Sequence, residues 1–354
     1  MADAQRTLHI AMGFDGTAAV NGLSEVDRQA DETKGSIKSI GKTLDKVGDK
    51  FKSIGKKMTL GLSLPLKAIG APGLRTFVQL EDEWAGVQKV TSGTAEELEK
   101  LRSQMHELVT MGGVPLSVVE MYGIAQAAGR LGIEMDNVTG FAETVAMLGT
   151  VTNMTAEQAA TDLAQFATVM QMPQEQFDQL GATLVGLGNN MATTESDIMR
   201  MGARLTGAGS AVGLAESELL GFAAAFSALG INAEAGGTAF TNIMLDINDA
   251  VFDGGEKLEA FASVAGKCAT EFADLFRDDA ASAIVYFIEG IGRLQDEGVN
   301  TNEVLGNLGF TGVNVTDLLR RGANAGDTLR EAINLANNCK RKTKGRLTKA
   351  RKYI

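Results

Sequence analysis

Apolar positions along the chain recur at helical spacing and almost never alternate as strands do. The clearest case comes early. Leu23, Val26, Ala30, Thr33, Ile37, Ile40, Leu44, Val47, Phe51, Ile54 and Met58 follow one another in alternating steps of three and four, a period of 3.5 held for five heptads. That period predicts a helix carrying a narrow seam of the left-handed coiled-coil type over residues 23–58. The self-association seam proper is Ile37, Ile40, Leu44, Val47, Phe51, Ile54 and Met58. Gly41, Gly48 and Gly55 repeat every seven residues beside it, flattening one edge so that another backbone can approach closely.

Beyond residue 75 the pattern changes to a series of shorter helices. Thr94 with Glu97, Ser117 with Glu120 and Thr155 with Gln158 are spaced as capping boxes, and Thr194 with Asp197 is a weaker variant. Apolar stripes follow them: Leu98, Leu101, Met105 and Leu108; Leu163, Phe166 and Met170; Phe177, Leu180, Leu184 and Leu187. Leu219, Phe222, Ala223, Phe226 and Leu229 end at Gly230, and Tyr286, Phe287, Ile291 and Leu294 end near Gly298. The expected fold is all-α: a basic N-terminal heptad helix followed by a compact body of ten or more helices. The organisation reads as an N-terminal lead (1–22), the heptad helix (23–58), an apolar hinge (59–75), an acidic helical core (76–338) and a basic, disordered tail (339–354).

Charge sharpens those boundaries. The net charge of −11 conceals +8 over residues 34–75, +8 over 340–354 and −23 over 76–339. A basic amphipathic helix can pack on its own chain, join a bundle of copies or lie on an anionic membrane, and its pattern is compatible with all three. Specific nucleic-acid binding is disfavoured, because only Phe51 interleaves the lysines. The apolar stretch from Met58 to Leu74 is short for a membrane span and is broken by Pro65, Lys67 and Pro72. No basic-then-apolar signal peptide opens the chain.

Candidate chemistry is sparse. Cys268 and Cys339 are too far apart in sequence for a CxxC motif, and His9 and His106 are the only histidines. Gly207, Gly209 and Gly213 look like a phosphate loop but follow a helical segment rather than a strand, so a flexible interhelical loop is expected there. The carboxylates Glu81, Asp82 and Glu83, and the pair Asp278 and Asp279, lack calcium-loop spacing and suit a solvated face or a helix N-terminus better. No catalytic residue, cofactor site or metal site is assigned, and the fifteen methionines are read as core.

The order of segments nonetheless resembles a known family. Residues 55–66 (GKKMTLGLSLPL), then 76–101 (TFVQLEDEWAGVQKVTSGTAEELEKL), are similar to the opening of tail tape measure proteins of long-tailed bacteriophages. Residues 117–132 (SVVEMYGIAQAAGRLG), 214–231 (LAESELLGFAAAFSALGI) and 234–249 (EAGGTAFTNIMLDIND) continue the likeness, the last with a small-residue turn at 236–240. The resemblance implies a structural role: templating tail tube assembly in the tail lumen and being expelled at infection, with the host cytoplasm as the site of assembly. It implies as partners further copies of the chain (a homo-oligomer), the tail tube protein, tail assembly chaperones and tail tip or baseplate proteins, with membrane contact during ejection. A membrane-active helical protein and a prophage-derived fragment with a host-interacting role are the alternatives. Tape measures are usually longer, and a fully helical chain of 354 residues would reach only about 530 Å at ~1.5 Å per residue. The ending CKRKTKGRLTKARKYI therefore reads as that of a truncated or short form.

The seam makes one prediction from sequence alone. Replacing Ile40, Val47 and Ile54 by Asp places charges in an apolar seam and should dissolve any oligomer of the full chain seen by sedimentation. A wild-type chain that sediments as a monomer at high concentration would remove the bundle reading.

Overall fold

A computed structural model describes residues 71–342, with side chains from 78 to 341. Contacts divide the chain into units 1–74 and 75–354, and the described residues fall in the second apart from the first four of the leading helix. The heptad segment 23–58 lies outside the described residues.

Among the described residues there are fifteen α-helices and no strand. They are α1 (Ala71–Val90), α2 (Ala95–Thr110), α3 (Val118–Arg130), α4 (Met135–Val151), α5 (Ala156–Val169), α6 (Phe177–Gly188), α7 (Glu195–Ala211) and α8 (Glu216–Ala228). The second half holds α9 (Ala233–Asp253), α10 (Gly255–Val264), α11 (Ala269–Asp278), α12 (Ala280–Asp296), α13 (Thr301–Asn307), α14 (Val313–Ala323) and α15 (Gly326–Lys342). A 3₁₀ turn, Gln174–Gln176, leads into α6.

The expected caps start their helices. Thr94 accepts from the Glu97 amide while Glu97 reaches back to the Thr94 amide at 2.7 Å, and Ser117 with Glu120 repeats the arrangement. Thr155 and Thr194 each accept the amide three residues on, and Asp279 caps α12 by accepting from Ser282. Each such cap contributes about 1 kcal/mol by satisfying an amide that has no partner inside the helix. The expected stops hold too. Gly230 sits at φ 69°, and the Ile231 amide donates back to the Phe226 carbonyl at 3.1 Å.

Burial selects α8 as the centre. Leu219, Leu220, Phe222, Ala223, Ala224, Ala225 and Phe226 are all fully buried, so this helix is apolar all round and needs neighbours on every side. It packs against α6, α7 and α15. Phe222 and Phe226 meet Phe240 of α9 at ring separations of 4.9 and 4.7 Å. In the first half α4 touches α2, α3, α5 and α6, and in the second half α12 touches α10, α11, α14 and α15.

Four expectations are corrected here. Gly207 and Gly209 lie within α7 rather than in a loop, and only Gly213, at φ 79°, makes the turn. The segment 236–240 lies inside α9 and is not a turn. In both places packing overrides the weak helix propensity of glycine: a Cβ on Gly209 would fall 2.2 Å from the Leu219 side chain, and one on Gly237 2.6 Å from Arg204. The third correction concerns the tail. Helix α15 runs four residues past Asn338, with Cys339 buried at 4% exposure and Lys340 paired to Glu216. The stripe Leu329, Ala332, Ala336 and Cys339 has to continue because it covers α8 and α6. Likewise, α1 begins at Ala71, inside the expected hinge, with Pro72 in its first turn where no amide is needed.

Two glycines should respond to alanine with opposite signs. A Cβ on Gly290 of α12 would lie 1.8 Å from the Val264 carbonyl oxygen, a backbone atom that cannot swing aside. Gly290→Ala should cost about 3 kcal/mol or more in urea unfolding. Gly207 of α7 meets nothing within 4 Å and is exposed, so Gly207→Ala should stabilise by about 0.5–1 kcal/mol.

Candidate interaction surface

The residues assigned from sequence to the seam, Ile37, Ile40, Leu44, Val47, Phe51, Ile54 and Met58, lie outside the described residues, as do Gly41, Gly48 and Gly55. The described residues offer other places to look for function, among them a polar cluster and a cleft.

The cluster joins α1, α2 and α3. Trp84, the single tryptophan, packs on Tyr122 at 5.1 Å, and the Arg102 guanidinium lies over the indole at 5.5 Å while pairing with Glu81. The Tyr122 hydroxyl is 2.8 Å from His106 Nε2. Burial, reinforced by the positive Arg102, holds the His106 imidazole below its ordinary pKa, and burial pushes the Tyr122 phenol up. Both groups are therefore neutral near pH 7. The Tyr122 hydroxyl is shared between His106 Nε2 and the Arg102 guanidinium, so the cluster acts as a clamp that links three helices.

The cleft, of about 330 Å³, lies between α9 and the turn joining α13 to α14. Asn242, Leu245, Asp246 and Asp249 line it from α9, and Gly309 to Gly312 with Val315 line the other wall. The α9 side follows from helical spacing: the buried face carries Ile243, Met244, Ile247, Ala250 and Val251, which turns Leu245, Asp249 and Phe252 outward. The opposite wall is fixed from within. Phe310, 3% exposed, meets Phe261 and Phe287 at 5.9 and 6.3 Å, and Gly309 at φ 91° lets the chain reverse there. The next residues are thereby presented to solvent, and Val313 is 82% exposed. Phe252, one heptad beyond Leu245, is 89% exposed. Lys257 pairs with Asp246 at 2.8 Å, whereas no cation among the described residues pairs with Asp249 or Asp253. The cleft lacks the converging buried polar groups of a small-molecule site; its apolar lining is Leu245, Phe310 and Val315, while exposed Phe252 and Val313 lie beside it on the same elements, three residues beyond Asp249 and next to Gly312.

A family model for phage-related minor tail proteins matches residues 106–349, more than two thirds of the chain. The chain belongs to that family. No curated protein and no solved structure matches this tail protein. The matched region opens at His106 within α2 and includes every helix from α3 to α15, so both the enclosed helix α8 and the cleft fall inside it. No helix among the described residues of the tail protein is long and apolar enough to cross a membrane. Sequence reasoning missed the cleft, because the exposure of Leu245 and Phe252 is set by how α9 packs and not by their spacing.

The clamp carries a pH dependence with a defined sign. Because the folded state lowers the pKa of His106, the unfolded chain binds its proton first, and stability falls as pH drops through the unfolded value of 6.5. The melting temperature of the tail protein should decline between pH 7 and pH 5, and His106→Gln should flatten that decline. An NMR titration midpoint for His106 at or above 6.5 would contradict the burial argument.

Proposed function

We propose that this minor tail protein is a tape measure protein, a structural component that templates assembly of the tail tube, occupies its lumen and leaves it at infection. What carries the reading is the ordered series of segments from residue 55 to residue 249, which follows the tape measure pattern and overlaps the matched region of the minor tail family. The charge distribution supports it as well. A body of −23 next to a lysine-rich heptad segment provides two chemically distinct surfaces for assembly partners. The partners proposed are further copies joined through residues 37–58, the tail tube protein, tail assembly chaperones and the tail tip or baseplate. The role is a structural one and the tail protein is not an enzyme.

The test is genetic and visual. Removing the reading frame from a phage that carries it should yield filled heads without tails in electron micrographs, with tube protein left unpolymerised. Supplying the chain from a plasmid should restore tails. Tails of normal length in the deletion mutant would overturn the reading.

A further inference from the structure

We propose that the cleft between α9 and the α13–α14 turn is a docking site for a lysine- or arginine-bearing amphipathic helix of a partner protein. Three observations converge on that occupant. First, Phe252 and Val313, at 89% and 82% exposure, are the most exposed large apolar side chains among the described residues, and they flank the cleft in sequence, beyond Asp249 and next to Gly312, while Leu245 lines the cleft itself. Second, both walls are anchored from within: α9 by fully buried Phe240, Ile243, Met244 and Ile247, and the turn by buried Phe310, an arrangement that lowers the cost of ordering the surface on binding. Third, residues 242–259 carry five carboxylates against the single cation Lys257, and Asp249 and Asp253 have no described cationic partner.

The charge pattern decides among occupants. A second copy docking by the same face would set Asp249 and Asp253 against their own counterparts, which costs energy at a contact that excludes water. An anionic lipid surface or a nucleic acid would meet the same repulsion. A cationic helix instead places its apolar stripe on Phe252, Leu245 and Val313 while its lysines or arginines reach the aspartates, with their long stems adding apolar cover. The proposal stands on this surface and does not depend on the tape measure reading.

The test uses the full chain and a designed fluorescent peptide with leucine at i, i+3, i+4 and i+7 and lysine elsewhere, read by anisotropy in physiological salt. Phe252→Ser with Val313→Ser should weaken binding about tenfold, since exposed apolar anchors dominate such contacts. Asp249→Asn with Asp253→Asn should weaken it comparably. Glu99→Gln with Glu107→Gln, an equal charge change on exposed positions of α2, should leave it unchanged. All three pairs are on the surface, and unchanged melting temperatures verify their folding; Val313→Ser alone provides the milder variant. Equal weakening by the α2 pair would reduce the effect to net charge and overturn the proposal. No effect of the serine pair would overturn it too, as would Phe252-dependent binding to phosphatidylglycerol vesicles.

Discussion

The structure depends on enclosing α8. A helix that is apolar on every face cannot rest on a surface, so the chain must bring neighbours to each side of it, and the most distant of these in sequence is α15. The approach is close enough that a Cβ on Gly221 would stand 2.8 Å from the Ile333 Cα. Ser217 then donates to Asn337 at 2.7 Å across the same contact, a hydrogen bond between residues 120 positions apart. Contacts of such separation close a long loop and reward it only once the burial is complete, which ties the folding of the second half to that of its last helix. It also explains why α15 continues past the point where its sequence turns basic: Cys339 still has a place to fill beside Gly186.

Much of this was readable from the residues, and the failures share one cause. Capping pairs and glycine stops depend on local chemistry, so Thr94 with Glu97, Ser117 with Glu120, and Gly230 appear in the roles their spacing implies. Gly209 and Gly237 were misread because propensity treats glycine as a breaker, while here it removes a side chain from a crossing. Gly202 and Gly209, seven apart on α7, face Leu219, and Gly202 also lies 3.3 Å from Leu220 by its notional Cβ. That is the use of glycine argued from spacing for Gly41, Gly48 and Gly55, seen at a place where the partner helix is known. The boundary near residue 339 failed for a related reason. Charge suggested a tail, yet the stripe Leu329, Ala332, Ala336, Cys339 keeps its three- and four-residue steps and was the better guide.

The cleft was less legible because exposure is a tertiary property. Phe252 belongs to a helix whose other aromatic, Phe240, is fully buried, and the two lie twelve positions apart on α9. Sequence alone treats both as core. Only the packing of Phe240 against Phe222 and Phe226, and the direction of α9, show that one ring is enclosed while the other is left in water.

Electrostatics adds a final step. Five of the nine described ion pairs, such as Arg200 with Asp197 or Arg321 with Asp317, have both side chains exposed, and pairs of that kind contribute roughly 0–1 kcal/mol each; Arg102–Glu81, Lys267–Glu271, Arg330–Glu289 and Lys340–Glu216 are partly buried. Stability therefore rests on apolar burial and close helix crossings rather than on charge. The surplus carboxylates of the body are not needed to hold it together, and their mutual repulsion mildly opposes compaction. A surface that costs stability and is confined to the body, while lysines concentrate in segments 34–75 and 340–354, is best explained by what it meets. At the proposed docking surface of this tail protein, Asp249 and Asp253, which have no cationic partner among the described residues, stand near exposed Phe252 and Val313 and would give an attraction that is selective for cationic partners and weakens with salt.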